Sequence, residues 1–303
     1  MGNTKISKIQ KKMKLLLYCL FAGVMLSSCK SDLNLIIPLN ASSPGNPMTG
    51  TELTYEEKFD ISYGKDDFQK YDLYLPSARN TRNPVIVLLH QGAWRIGDKS
   101  GVNFFVKGFL DKRVNCAIVN ANYRLTSTAG ITYKQQLEDI NLVLKKIKKD
   151  SYELGISPTN FYLIGISAGG HLALLYANSS TGDKLAQGVG AVVPPVNLVS
   201  PSMRNGIIAS DVLKFIGKSF AEAPNEYYDN SPVFKFNFAS PPTIVFFGGQ
   251  DETVPLDQSE LCKQTLLTSR LKSEYNFYPN QPHNWSIWDE TIDKLINFAQ
   301  KNL

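Results

Sequence analysis

Apolar and polar positions along this chain switch repeatedly between two periods. Residues 55–63 and 71–75 alternate apolar with polar, the two-residue period of strands with one wet face, and predict an antiparallel lead-in pair. From Pro84 to His90 the run Val-Ile-Val-Leu-Leu is unbroken, as expected of a strand covered on both faces. Residues 102–110 predict a helix and 116–121 a strand. Over 133–149, Ile140, Val143, Leu144 and Ile147 share one helical face while lysines take the other. A strand over 161–166, a helix over 168–178 and a strand over 189–193 follow. The rest reads as strand 242–247, helix 259–271, strand 274–278 and helix 291–302. Strands separated by helices predict an α/β domain, a mostly parallel eight-stranded sheet with helices on both faces.

Residues 197–240 interrupt this rhythm. They offer one helix, over 211–220, then Pro224, Tyr227, Tyr228, Pro232 and several phenylalanines. So long a stretch without a strand predicts a small cap insertion over the carboxyl edge of the sheet, since its aromatic residues need something to pack against. The alternative is a linker between domains.

Composition narrows the function classes. With 43% hydrophobic and 19% charged residues the 303-residue chain is neither disordered nor, lacking an 18-residue apolar run after residue 40, a polytopic membrane protein. The formal charge of +5 is misleading. Residues 1–28 carry Lys5, Lys8, Lys11, Lys12 and Lys14 and no acid; without those five, the 32 basic residues fall to match the 27 acidic ones. A neutral body argues against a nucleic-acid partner. The lysines instead precede the apolar run from Leu15 to Leu26 and the tetrad Leu26-Ser27-Ser28-Cys29, the order of an export signal. The tetrad resembles the bacterial lipobox. That resemblance implies a signal peptide over 1–28, with Met13 an alternative start, and lipidation of Cys29. It implies a lipoprotein held at a bacterial membrane on the periplasmic or surface side. A plain secreted protein is the alternative. Residues 29–50, rich in Ser, Pro, Asn and Gly, read as a flexible tether to a domain over 51–303. Beyond Cys19 and Cys29, Cys116 and Cys262 are expected as buried free thiols, with a bridge between them the alternative in an oxidising compartment.

Candidate chemistry starts at Gly165-Ile166-Ser167-Ala168-Gly169, between a predicted strand and a predicted helix. The string is weak alone; its placement raises it. A sharp strand-to-helix turn would stand the Ser167 hydroxyl above the sheet edge and aim the Ala168 N–H at an oxyanion. A helix-capping serine is the bland alternative. A serine nucleophile needs a base, and the chain has three histidines. His171 lies on the Ser167 helix and reads as a packed core residue. His90 ends a strand and belongs to another element. His283 follows the last predicted strand, on the same sheet edge as Ser167, and is the candidate base. Asp251, just past the strand over 242–247, is the carboxylate placed to orient it, with Asp257 and Asp289 weaker rivals and Glu252 expected to point away.

The order Ser167, Asp251, His283 and several further segments resemble the α/β-hydrolase superfamily over about residues 55–303. The segments are His90-Gln-Gly-Ala-Trp94, Gly97-Asp98-Lys99, Asn122-Tyr-Arg-Leu125, Gly165 to His171, Gly249-Gln-Asp251, Val254-Pro255 and Pro282-His283. The likeness is to small esterases near the hormone-sensitive lipase group, feruloyl and acetyl xylan esterases, and kynurenine formamidase. It implies an oxyanion hole from the backbone N–H groups of Gln91, Gly92 and Ala168. It also implies that His90 and Trp94 support the loop, and that neither metal nor organic cofactor is required. Gln91 stands where relatives carry glycine, adding a side chain that restricts the loop or crowds the acyl site. Ile166 stands where relatives often carry histidine and is expected as buried support. The implied activity is serine-dependent carboxylic ester hydrolysis through an acyl-enzyme, with acetyl or feruloyl carbohydrate esters as substrates suggested by the export address. An arylformamidase-like amide hydrolase, and a non-catalytic binding protein that kept the fold, are the alternatives. Oligomeric state stays open.

Overall fold

Eight strands form one sheet in a computed structural model that describes residues 53–179 and 184–302. The signal segment 1–28, Cys29 and the tether 29–50 lie outside the described residues. Strands β1 (Tyr55–Ser62), β2 (Lys70–Pro76), β3 (Val85–Leu89), β4 (Ala117–Ala121), β5 (Phe161–Ile166), β6 (Ala186–Val192), β7 (Thr243–Gly248) and β8 (Ser273–Tyr278) lie in the order β1-β2-β4-β3-β5-β6-β7-β8. Strand β2 pairs antiparallel with both of its neighbours, and every pairing from β4 to β8 is parallel. The expected antiparallel lead-in and parallel body are both present. This is the α/β-hydrolase fold.

Alternating side chains divide the interior into two cores. Val85, Val87, Leu89, Val119, Leu163 and Val245 face helices α2 (Tyr133–Leu154), α3 (Ala168–Asn178) and α7 (Leu256–Ser269). Ile86, Leu88, Ile118, Ile164, Ile244 and Phe246 face α1 (Asn103–Asp111) and α8 (Trp288–Asn302). All five β3 residues are buried, so this one strand takes several apolar side chains out of water at about 1.5–3 kcal/mol each. The unbroken apolar run in the sequence is the signature of such double coverage.

Helix ends follow local chemistry that the apolar period cannot see. Helix α2 starts on a capping box, Thr132 with Gln135, and runs past residue 149 until Gly155 adopts a left-handed C-cap with φ +65°. Helix α7 begins three residues before the expected 259, directly after Pro255, and stops at Ser269, where Arg270 turns left-handed. Helix α8 likewise begins earlier than 291, and β6 starts before 189.

Between β6 and β7, residues 197–240 contain no strand among the described residues. The single expected helix over 211–220 is replaced by α4 (Pro201–Arg204), α5 (Ala209–Ile216), α6 (Pro224–Asp229) and a 3-10 turn, Pro232–Phe234. Helix α5 ends early because Gly217 takes φ +85°, and Pro224 opens α6. The linker alternative fails, because Val212, Phe215, Ile216, Tyr227 and Val233 are buried in the first core. Gln258 and Asp257, at the start of α7, tie down its beginning: Gln258 Oε1 accepts from the Val196 and Asn197 N–H groups, and Asp257 accepts from the Ser200 and Ser202 hydroxyls. No helix among the described residues is long and apolar enough to cross a membrane.

Candidate active site

Parallel strands all end on one edge, so the residues just past β3, β5, β7 and β8 meet there although the chain separates them widely. Ser167 follows β5 with φ 51° and ψ −119°, a strained turn that lifts its side chain off the strand. Its N–H donates to Val192 O on β6 (2.8 Å), and its carbonyl accepts the His171 N–H of α3 (2.9 Å). Gly165 is required because a Cβ there would stand 2.2 Å from the Gly169 carbonyl carbon. Gly169 in turn allows α3 to touch the end of β3: a Cβ there would lie 2.3 Å from Leu89 O and 2.5 Å from His90 O. The same close approach sets the turn after Ser167 against the 90–92 loop.

Ser167, His283 and Asp251 are brought together in one hydrogen-bonded line. The Ser167 hydroxyl lies 3.0 Å from His283 Nε2, and His283 Nδ1 lies 2.8 Å from Asp251 Oδ2. A carboxylate only accepts, so Nδ1 carries the proton and Nε2 offers its lone pair to the hydroxyl. Asp251 is held in turn, since its Oδ1 accepts the N–H groups of Thr253 (2.9 Å) and Val254 (2.7 Å). The carboxylate is almost fully covered, whereas 24% of the His283 side chain is exposed, so the imidazole can be reached from solution. The rivals lie elsewhere. Glu252 is exposed, Asp257 is engaged by Ser200 and Ser202, and Asp289 bridges to Lys112.

The other two histidines are structural. His171 is fully buried; Trp94 Nε1 donates to its Nδ1 (3.2 Å), and its Nε2 donates to Asn230 O (2.8 Å). Burial pushes its pKa down to about 4, keeping it neutral. His90 donates from Nδ1 to Gln91 O (2.7 Å) and stacks on Tyr123, with ring centres 4.3 Å apart. Burial lowers its pKa as well. Trp94 packs under the loop as expected, buried and stacked on Phe215 at 4.7 Å. Ile166 is buried.

The loop from His90 to Gly97 is a tight turn in which Gly92 O accepts the N–H groups of both Arg95 and Ile96. Position 92 demands glycine: its φ is +128°, and a Cβ there would lie only 1.9 Å from Ile96 O. Gln91 carries no such demand: its φ is not left-handed, and its side chain leans toward Gly101 O, Nε2 lying 3.4 Å away. The departure from glycine at 91 is thus compatible with the turn. No backbone acceptor among the described residues takes the N–H of Gln91, Gly92 or Ala168, leaving three donors on the edge that bears Ser167.

Several supporting residues had no signal in the sequence periodicity. Gln136, a polar residue wholly buried on α2, donates to Trp94 O (2.7 Å) and Arg124 O (2.8 Å). Asp211 accepts from Arg95 Nε at 2.6 Å. Asp98 takes donors from Ser100 and Asn122; burial opposes its ionisation, but these hydrogen bonds outweigh it and hold its pKa near 2. Cys116 and Cys262 are free and buried, which removes the disulfide alternative; burial raises the Cys116 thiol to about 12 and Cys262 further. Among the described residues no cluster of His, Cys, Asp and Glu could hold a metal ion.

Comparison with known proteins adds to this geometry. The profile of the BD-FAE family matches residues 71–266. A versiconal hemiacetal acetate esterase from Dothistroma septosporum is 33% identical over 140 residues, covering 46% of this chain and 42% of that protein. The chain spans about half the length of the curated relatives it matches first. Among solved structures, a truncated carbohydrate esterase from gut microbiota superposes with a TM-score of 0.72 at 19% identity, over 83% of this chain and 98% of that one. A bifunctional GH43-CE protein of Bacteroides eggerthii superposes with a TM-score of 0.70 at 22% identity, over 81% of this chain and 38% of that one. At these identities the structural likeness speaks for the fold.

Proposed function

This chain belongs to the BD-FAE family, and from that footing we propose that it is a serine-dependent carboxylic ester hydrolase. One observation carries the reading: the unbroken line from the Ser167 hydroxyl through His283 to Asp251, at 3.0 and 2.8 Å. Ser167 Oγ attacks the ester carbonyl carbon while His283 Nε2 takes its proton, and Asp251 stabilises the imidazolium that forms. The N–H groups of Gln91, Gly92 and Ala168 receive the negative oxygen; each such donor is worth about 100- to 1000-fold in rate. The carbon–oxygen bond to the alcohol then breaks, and His283 returns the proton to the departing alkoxide. Water attacks the acyl-serine, giving its proton to His283, and the carboxylic acid leaves as Ser167 regains its hydrogen. Nothing in this sequence of steps calls for a metal or an organic cofactor.

The substrate class we propose is an acylated carbohydrate, acetylated or feruloylated. The names of two structural neighbours, a carbohydrate esterase and a GH43-CE protein, support it, as does the resemblance of residues 1–28 to an export signal. The same signal supports an envelope lipoprotein anchored through Cys29, and metabolic labelling with a fatty acid should be lost in Cys29→Ser. The central test is Ser167→Ala, expected to lower kcat on p-nitrophenyl acetate by at least about a thousandfold and to abolish labelling by a fluorophosphonate. A folded Ser167→Ala protein that hydrolyses the ester at the wild-type rate would overturn the reading. Wild-type protein that takes up no fluorophosphonate would favour a binding protein on the same fold.

A further inference from the structure

The turn that presents Gln91 and Gly92 is held in a shape its own residues resist. Ala93 and Trp94, both with side chains, stand consecutively in the left-handed region at φ 50° and 59°. Such residues persist only where their surroundings over-determine them. Part of the restraint comes from the sheet domain, where Gln136 Nε2 and the Thr126 N–H both donate to Trp94 O. More comes from His171 on α3, whose Nδ1 accepts from Trp94 Nε1, and from the 197–240 insertion. On α5, Asp211 and Phe215 are four residues apart and share one helical face. Phe215 stacks on Trp94, and Asp211 Oδ1 accepts from Arg95 Nε at 2.6 Å. One short helix therefore grips two successive residues of the turn. Arg95 also closes the turn through its own backbone, donating its N–H to Gly92 O at 3.0 Å. Asp211 is 7% exposed, so water competes little for its carboxylate.

We infer that Asp211 is a positioning residue for ester hydrolysis, gripping Arg95 and so fixing the turn that aims the Gln91 and Gly92 N–H groups at the oxyanion. It touches no substrate. The inference rests on the oxyanion role given to those N–H groups, and it makes the insertion a working part of the site rather than a cover alone. Misalignment of the donors weakens an interaction realised only in the transition state, so the loss falls on kcat and leaves KM alone.

The experiment is a double-mutant cycle on Arg95→Gln and Asp211→Asn, read on p-nitrophenyl acetate and by inhibition with phenylboronic acid, whose serine adduct is tetrahedral. Each single variant is expected to lose about tenfold in kcat with KM changed less than about twofold, and boronate affinity should weaken by a similar factor. The double variant should be no worse than about the poorer single, since both break one contact. Arg95→Lys, which keeps a charge able to meet Asp211, should recover part of the loss. Asp229→Asn, on the exposed face of α6, should match wild type. Single variants that fold and keep wild-type kcat overturn the inference, as do losses confined to KM or a double variant whose loss is the product of the singles. Should Asp211→Asn fail to fold, the two Arg95 variants, at the more exposed end of the pair, carry the test. Wild-type protein unlabelled by fluorophosphonate would sink the underlying enzymatic reading; a labelled wild type beside a fully active Asp211→Asn sinks this inference alone.

Discussion

Replacing Asp251 with asparagine should disable the site through proton placement, with the geometry left nearly intact. Asp251 Oδ1 accepts two backbone N–H groups, from Thr253 at 2.9 Å and Val254 at 2.7 Å, while Oδ2 faces His283 Nδ1 at 2.8 Å. An asparagine side chain has one oxygen, and the two backbone donors determine where it goes. The flipped amide would point its NH2 at both of them and forfeit two hydrogen bonds worth roughly 1 kcal/mol each. The NH2 therefore faces His283 and donates to Nδ1, which must now be the unprotonated nitrogen. The imidazole proton moves to Nε2, where it confronts the Ser167 hydroxyl it should be receiving from. The expected fall in kcat is about ten-thousandfold, the size seen when a serine protease triad suffers the same change, or roughly 5.4 kcal/mol of lost transition-state stabilisation. Steady-state hydrolysis of p-nitrophenyl acetate measures it, and urea unfolding close to wild type shows that the loop around residue 251 survives. A folded Asp251→Asn protein with kcat within about tenfold of wild type would refute this account of how Asp251 acts.

Two further predictions concern stability. Gly165→Ala would drive a Cβ to within 2.2 Å of Gly169 backbone, which cannot yield as a flexible side chain can, so a loss of about 1–3 kcal/mol or more is expected in urea unfolding. Gly101→Ala, whose Cβ meets nothing nearer than Gln91 Nε2 at 3.6 Å, should be tolerated, and equal stability of the two variants would discredit the close-approach argument. His171, with a folded pKa pushed down by burial to about 4, stays neutral while the unfolded chain binds a proton below about 6.5. The unfolded state thus holds more protons between those values, and stability falls as pH drops from about 6.5 toward 4, by up to about 3 kcal/mol from this residue. Buried His90 acts in the same direction. Unfolding free energies taken from pH 7 to 4.5 should slope less in His171→Gln; an unchanged slope would show that another group carries the acid sensitivity.

The turn from His90 to Gly97 departs from the family pattern at one position. By sequence, a glutamine at 91 keeps the backbone N–H a hole needs but adds a side chain where relatives carry glycine. The backbone shows that the two positions differ in kind. Residue 92 sits at φ +128° with a carbonyl where a Cβ would go, whereas residue 91 occupies ordinary backbone with its side chain turned toward Gly101. Gly92 is therefore the position the turn depends on, and it is a glycine.

Much of this protein follows from local rules. Period-two and period-3.6 patterns report which faces are buried, so the eight strands, the principal helices and their alternation were legible from residues 55 to 302. The nucleophile we propose stood out too, because Gly165 and Gly169 flank Ser167 at a strand-to-helix junction. Parallel strands share an edge, so His283 and Asp251 could be placed beside Ser167 without coordinates. Helix ends were less legible, depending on one residue's backbone, as at Gly155, Gly217 and Arg270. What only the tertiary structure decided was the partner of each buried polar group. That Asp211 meets Arg95, that Gln136 holds Trp94 O, and that Trp94 donates to His171 are contacts across 42 to 116 positions of chain. Hydrophobic periodicity carries no information about such pairs, because a hydrogen bond is directional and specific to two atoms, whereas burial is a property of a face.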